Sequence, residues 1–340
     1  MADSSPLIPA SWLQGVIDAH TNAEAELIAE MAKRLSKGLG SDDWARLRAG
    51  DTAAFKRRVN AVLGTLAADT EPAVIDALTR AYGRGHGSVA PAPERLTRRV
   101  LGSLRAAHAG ARTSANRAWN NAVAVGRAAP DEASRRRGVQ RILDRLAGKG
   151  LTAARDHNRN MSLRPLVEQV LGDAAHEAGR LGFFARLRSR GSDLVIVTRS
   201  PHPCPVCEPW EEIVLSVGGK ARGIPSMATA RDAGLFHPRC RHTVFAWQPG
   251  FVWPPNSIER QPGTYEAEQR QRTIERHIRS WKLRQAAAMD DLTKAQAGRK
   301  VRQWQAALRQ HLATEGLTRS RQRERTDFGH SRPLTHAHGA

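Results

Sequence analysis

HPCPVCEPW (202–210) and HPRCRHTVFAW (237–247) carry all three cysteines of the chain, Cys204, Cys207 and Cys240. Two thiols three positions apart, with His237 three before the third thiol and His242 two after it, have the spacing of a tetrahedral zinc site. A tight Cys-x-x-Cys knuckle lets both thiolates face one soft cation, and Pro203, Pro205 and Pro238 stiffen the two turns. Zinc takes sulfur and imidazole, so Cys204, Cys207, Cys240 and one histidine would close a structural shell. His237 repeats the two-residue gap of the first pair and is the first choice for fourth ligand, with His242 and His202 as alternatives. A redox dithiol would leave Cys240 and its histidines without a role, and three cysteines fit a disulfide framework poorly. Inert buried thiols are the remaining alternative.

Outward from the knuckles, the local pattern changes to strand. DLVIVT (193–198) is a short β-branched run that leads into the first knuckle, and HTVFAW (242–247) is a second run that leaves the other. Between them a short helix is expected over Ala228 to Ala233, ended by Gly234. Two strands joined by a metal crosslink make a small sheet.

The rest of the chain reads as helix. Trp12, Val16, Ile17, Leu27, Ile28 and Met31 recur at helical spacing up to Gly38; Phe55, Val59, Val62 and Leu63 follow behind an Asp51 cap, and a third helix is expected from Pro72 to Ala81. The Gly- and Pro-rich stretch 82–94 reads as a linker. From Pro93 to Arg190 the pattern is again helical, with a helix start at Ser162-Leu163. Ile274, Ile278 and Trp281 face Val301, Trp304, Leu308 and Leu312 in an expected antiparallel helical pair that Asp290 and Asp291 join and Gly316 ends, its Arg270, Arg272, Arg276, Arg279, Arg302 and Arg309 mostly exposed. The fold class is therefore mostly α with a small β-sheet (α+β), helical blocks flanking a knuckle-bearing β core. Five segments follow: a helical amino-terminal region (1–90), a basic helical region (91–190), the small sheet with its Cys/His knuckles (191–255), a basic helical pair (256–316) and a disordered basic tail (317–340).

Charge separates these segments. The chain carries 53 Lys+Arg against 33 Asp+Glu, a formal +20. Residues 1–90 are net −1, 91–200 net +12, 201–255 net +1 and 256–340 net +8. The knuckles are nearly neutral and the cations lie on either side, which argues against the metal site being a nucleic-acid reader itself. Arg135, Arg136 and Arg137 read most simply as a solvated helix face. No apolar run approaches membrane-spanning length and no signal-like amino terminus is present, so synthesis in a cytoplasm, with thiols reduced, is expected and no membrane partner is. Asp156-His157-Asn158 resembles a nuclease loop only superficially, and His336 and His338 in the tail read as solvated.

HPCPVCEPWE, VLS and TARDAGLFHPRCRHTVFAW, followed by the Arg- and Gln-rich helices TYEAEQRQRTIERHIRSWKLRQAAA and VRQWQAALRQHL, resemble the phage minor capsid protein 2 family, within the Mu F-like head morphogenesis group of tailed bacteriophages. The likeness runs from about Leu151 to Arg325, is partial from Pro93, and departs from relatives that end the second knuckle with cysteine where this chain has His242. The resemblance implies a structural virion protein inside the head near the portal, with portal, capsid or scaffold proteins as partners and the host cytoplasm as the place of synthesis; the basic flanks add packaged DNA as a candidate partner, and the shell closed by three thiolates and a histidine implies no enzymatic activity. Two other classes compete: a zinc-stabilised nucleic-acid-binding protein, which leaves the knuckle sequences unexplained, and a metal-dependent hydrolase or toxin, for which Glu208, Glu211 and Glu212 supply candidate bases.

Overall fold

Nine helices, α1 to α9, and five short strands, β1 to β5, make up the computed structural model over the described residues 4–156, 159–200, 202–240, 242–254 and 263–326. The fold is mostly α with two small antiparallel sheets, as expected. His157, Asn158, His336 and His338 lie outside the described residues. The chain divides into two compact units, each drawn from three separated stretches: 1–14, 72–102 and 169–268 in the first, and 15–71, 103–168 and 269–340 in the second. The five consecutive segments expected from the sequence do not coincide with these units.

The first unit is built on a three-stranded sheet in the order β4 (Val214–Ser216), β3 (Leu194–Val197), β5 (Val244–Ala246), all antiparallel. β3 and β5 occupy the two runs read from the sequence; β4 is too short to stand out by alternation and exists because it pairs with β3. Phe183, Phe184 and Leu187 of α6 (Leu163–Ser189) pack with Val195, Val197, Leu215 and Val244 of the sheet, with Met227 and Ala230 of α7 (Met227–Asp232), and with the three cysteines. Ser226 caps α7 by accepting from the Thr229 N–H.

The glycines of 82–94 act differently from the expected linker. α3 is one helix from Thr52 to His86, running through both Pro72 and Gly85. Pro72 is exposed while Thr70, Val74, Ala77 and Leu78 are buried, so side-chain burial outweighs the lost helix hydrogen bond. A Cβ on Gly85 would lie 2.0 Å from the Gly179 carbonyl oxygen, and one on Gly182 2.1 Å from that of Tyr82. These glycines let α3 and α6 pack backbone to backbone, and the connection to α4 (Glu94–Ala128) shrinks to residues 87–93.

In the second unit α1 (Ser11–Ser36) buries Leu27, Ile28, Met31 and Leu35. A short α2 (Trp44–Gly50) follows, and Asp51 is itself helical, bridging to Arg48 in place of capping α3 with its side chain. Phe55 stacks on Trp119 of α4 at 4.6 Å, and the Trp119 Nε1–H donates to Thr52. After α5 (Glu132–Lys149), a hairpin of β1 (Thr152–Asp156) and β2 (Arg159–Ser162) replaces the helix expected there. Its first residues are held from outside: the Leu151 N–H donates to buried Glu24 and the Thr152 N–H to Ser114. The helical pair is present as α8 (Tyr265–Ala286) and α9 (Asp291–Glu315), with Asp290 as N-cap, Gly316 left-handed at the end, and Ile274, Ile278, Leu308 and Leu312 in its core.

The segment after Gly316 is not a free tail over its described part. Side chains of α6 and α8 bind its backbone carbonyls: Gln271 donates to Thr318, Arg279 to Arg323, Lys282 to Glu324 at 2.9 Å and Arg164 to Arg325 at 2.7 Å. Glu324 is buried and held by one guanidinium edge of Arg319, whose Nε and Nη2 donate to its two carboxylate oxygens at 2.6 and 2.8 Å. Basic composition here means internal pairing, which composition alone does not distinguish from disorder. Among the described residues no helix is long and apolar enough to cross a membrane.

Candidate metal centre

Both knuckles lie in the first unit, and each is a hydrogen-bonded turn closed around a sulfur. The Cys207 N–H lies 3.1 Å from the Cys204 carbonyl and 3.4 Å from its Sγ; Glu208 N–H donates to the same carbonyl, opening a 3-10 turn over Glu208–Trp210. In the second knuckle the His237 N–H donates to Gly234, the Cys240 N–H to His237, and the His242 N–H reaches the Cys240 Sγ at 3.4 Å. N–H groups aimed at sulfur favour the thiolate.

The second turn needs backbone that side-chain-bearing residues seldom adopt. Phe236 and Arg239 have φ of 62° and 68°, each carrying on the order of 1–3 kcal/mol of strain. α6 holds both. Asp173 accepts from the Arg239 N–H at 2.7 Å, and the Arg180 guanidinium lies 4.2 Å from the centre of the Phe236 ring. Burial pulls Arg180 down to about 10, so it stays charged at neutral pH, and its charge acts on Cys240.

Five donors converge. Cys204, Cys207 and His237 form one triad and Cys207, Cys240 and His242 another, the donor atoms of each lying within 4.8 Å of one another. Cys204 Sγ is 2.8 Å from His237 Nε2, Cys207 Sγ 3.5 Å from Cys240 Sγ, and Cys240 Sγ 3.4 Å from His242 Nδ1. All three thiols are free and buried. Each imidazole is anchored by its other nitrogen: His237 Nδ1 to the Pro238 carbonyl at 2.8 Å, and His242 Nε2 to the Glu211 carboxylate at 2.9 Å. Such outer partners choose the tautomer and aim the free nitrogen inward.

A family model for phage minor capsid protein 2 matches residues 94–313, which contain both knuckles and all five donors. The chain belongs to the phage minor capsid protein 2 family. Comparison with curated proteins gives no match, and comparison with solved structures gives none either.

In this minor capsid protein the two histidines left open by spacing are both at the cluster, whereas His202 turns to Glu268, 3.1 Å away. The three acids considered as bases also separate. Glu211 is buried between His242 and the Ser200 N–H, Glu212 pairs with Arg199 at the surface, and Glu208 is exposed. The protons are unevenly shared: a hydrogen bond with Cys240, reinforced by burial, pushes Cys207 up to about 12, and the same bond lowers Cys240. Burial raises Cys204. For His242 burial acts downward, but hydrogen bonds to Cys207 and Glu211 raise it overall. A soft cation that replaced these protons would meet three sulfurs and two neutral ring nitrogens, a donor set that fits zinc.

Spacing points to the clustered cysteines and histidines but not to their supports. Glu211 sits close to the first knuckle, where an acid after Cys-x-x-Cys is a weak cue. Asp173 and Arg180 have no cue at all, because only the packing of α6 brings them to the second knuckle.

Proposed function

We propose that this minor capsid protein works inside the phage head near the portal, as a structural component and not an enzyme, with zinc held by Cys204, Cys207, Cys240 and His237, His242 being the alternative fourth ligand. The observation that carries the metal reading is the convergence of three buried free thiols with two imidazoles whose outer nitrogens are already anchored. When bound, zinc would supply a crosslink between the loop after β3 and the loop before β5. The chain's own residues do the rest: Asp173 and Arg180 hold the strained second turn, and Glu211 fixes the His242 ring. Three thiolates and one imidazole complete a tetrahedron without an open position, which favours a structural role over hydrolysis. Family membership supports portal, capsid or scaffold proteins as neighbours, and the net charge of +12 over 91–200 and +8 over 256–340 supports contact with packaged DNA.

Elemental analysis of purified protein tests the metal: about one zinc per chain is expected, and a metal-free protein whose melting temperature ignores chelator would sink the structural site. Cross-linking mass spectrometry on intact heads tests the location, with portal peptides as the expected partners; crosslinks confined to the outer capsid surface would overturn it.

A further inference from the structure

The three consecutive arginines of α5 have three different fates. Arg135 is structural: it donates to the carbonyls of Leu39, Ser41 and Gly126 and lies over the Trp44 ring. Arg136 pairs with Glu132 at 2.7 Å. Arg137 is exposed and donates to the Ser134 hydroxyl at 3.1 Å. It is also the first of a series, Arg137, Arg141, Arg145 and Lys149, all exposed and spaced four residues apart. Steps of four climb about 6 Å and turn about 40°, so the four cations form a gently winding stripe roughly 18 Å long. Val139, Leu143, Leu146 and Ala147 are buried on the other side of the helix.

Among the described residues none of the four makes a direct ion pair with a carboxylate, although the Arg137 charge reaches Asp131. Nearby acids are engaged elsewhere: Glu132 with Arg136, Asp131 with the Ser134 N–H and hydroxyl, and Asp144 with Gln140. Elsewhere in this unit Arg34, Arg46, Arg58 and Arg105 each meet an acid. A fifth cation flanks the stripe: Arg284 of α8 stacks on Trp281 at 4.4 Å, donates to the Asp144 carbonyl, and lies so close that a Cβ on Gly148 would meet it at 2.4 Å.

We infer that the outer face of α5, with Arg137, Arg141, Arg145 and Lys149, is the surface that binds the phosphate backbone of duplex DNA. The inference rests on the DNA contact proposed above and gives it a location. Fork-shaped guanidinium groups suit phosphate oxygens. The exposed residues of α5 are these four cations, Glu132 and Ala133, so the face lacks the aromatic or aliphatic anchors on which protein interfaces depend. Contact is therefore with charge and not with sequence, and binding is expected to be sequence-independent.

The test measures binding of the full-length protein to a random-sequence duplex by fluorescence anisotropy across a salt series. Each phosphate contact contributes a slope of about −0.9 in log affinity against log salt, so the combined Arg137→Gln, Arg141→Gln, Arg145→Gln and Lys149→Gln variant should lose about 3 to 4 from the slope. A variant of α9 with Arg299→Gln, Arg302→Gln and Arg309→Gln should keep the wild-type slope, and unchanged circular dichroism confirms that both remain folded. If the α5 variant keeps the wild-type slope, or both variants lose it equally, the α5 assignment fails while the DNA contact stands. Wild-type protein without salt-dependent binding would overturn both. Unaltered DNA binding together with a lost crosslink to a head protein would reassign the stripe to an acidic protein partner.

Discussion

The Cys/His cluster of the first unit and the buried polar network of the second are both held by polar groups, yet only the first is announced by its sequence. The knuckles place donors within a few residues of one another, so their chemistry is local. In the second unit the partners are far apart in sequence: His20 Nε2 meets His108 Nε2 at 2.9 Å, Glu24 holds the Leu151 N–H at 2.7 Å, and Arg164, Arg279 and Lys282 grip three successive carbonyls of 323–325. Each of these residues alone looks like an ordinary helix position. The contrast shows that charge composition is a poor guide to where charge ends up, since one arginine-rich stretch is surface and another is interior bracing.

Substituting Cys207→Ser should have the largest effect, because this thiol belongs to both triads. We expect loss of metal and destabilisation of the first unit by roughly 5 kcal/mol or more, read as zinc content and chemical unfolding. If stability hardly changes, the two regions are alike after all and the knuckles are a packing feature.

Acid should strike the second unit through its histidines. Burial lowers His20 to about 3, with its Nδ1–H spent on the Val16 carbonyl and His108 alongside, itself lowered chiefly by burial. The unfolded chain takes up this proton near 6.5, so the stability that His20 contributes is present above that pH and is lost as pH falls toward 3, on the order of 3–5 kcal/mol at the end of the window. Glu24 has the opposite sign: burial raises it to about 7, so its contribution is present in acid and is lost as pH rises from about 4.5 through 7. The two offset each other between about 4.5 and 6.5, and the steep loss should come below that range. Unfolding titrations of His20→Gln should show a flatter acid limb; an unchanged limb would refute the assignment.

Glu211→Gln sharpens the choice of fourth ligand. It should weaken zinc about 10- to 100-fold if His242 coordinates, and leave competition titrations with a chelator nearly unchanged if His237 does. The smallest effect is expected from Lys282→Met, which removes one donor to the Glu324 carbonyl: about 1–2 kcal/mol, with faster amide exchange over 318–325. Exchange that is already fast in the wild-type chain would return that segment to the free tail expected from its composition.

Much of the fold was legible where structure is local. The β-branched run 193–198, the Ser162-Leu163 helix start, the Asp290 cap and the Gly316 stop all depend on neighbours along the chain. Where the structure departs from local expectation, the cause is shared. Gly85 and Pro72 looked like breaks because propensity treats a residue without its packing partner, and the backbone contact with Gly179 is what makes glycine necessary. The strands 152–156 and 159–162 are not legible locally because their supports, Glu24 and Ser114, lie on other helices.

By itself the sequence determined the mostly helical class, the small sheet, the pairing of the two cysteine knuckles as one candidate cluster and the family, since spacing, periodicity and caps act over a few residues. Only the tertiary structure decided that both His237 and His242 reach the thiols, that Asp173 and Arg180 brace the second knuckle, and that Arg135 is spent inward while Arg137 faces out. The physical reason is that a side chain's role depends on what desolvates it and what pairs with it, and both come from segments that the chain brings together only on folding.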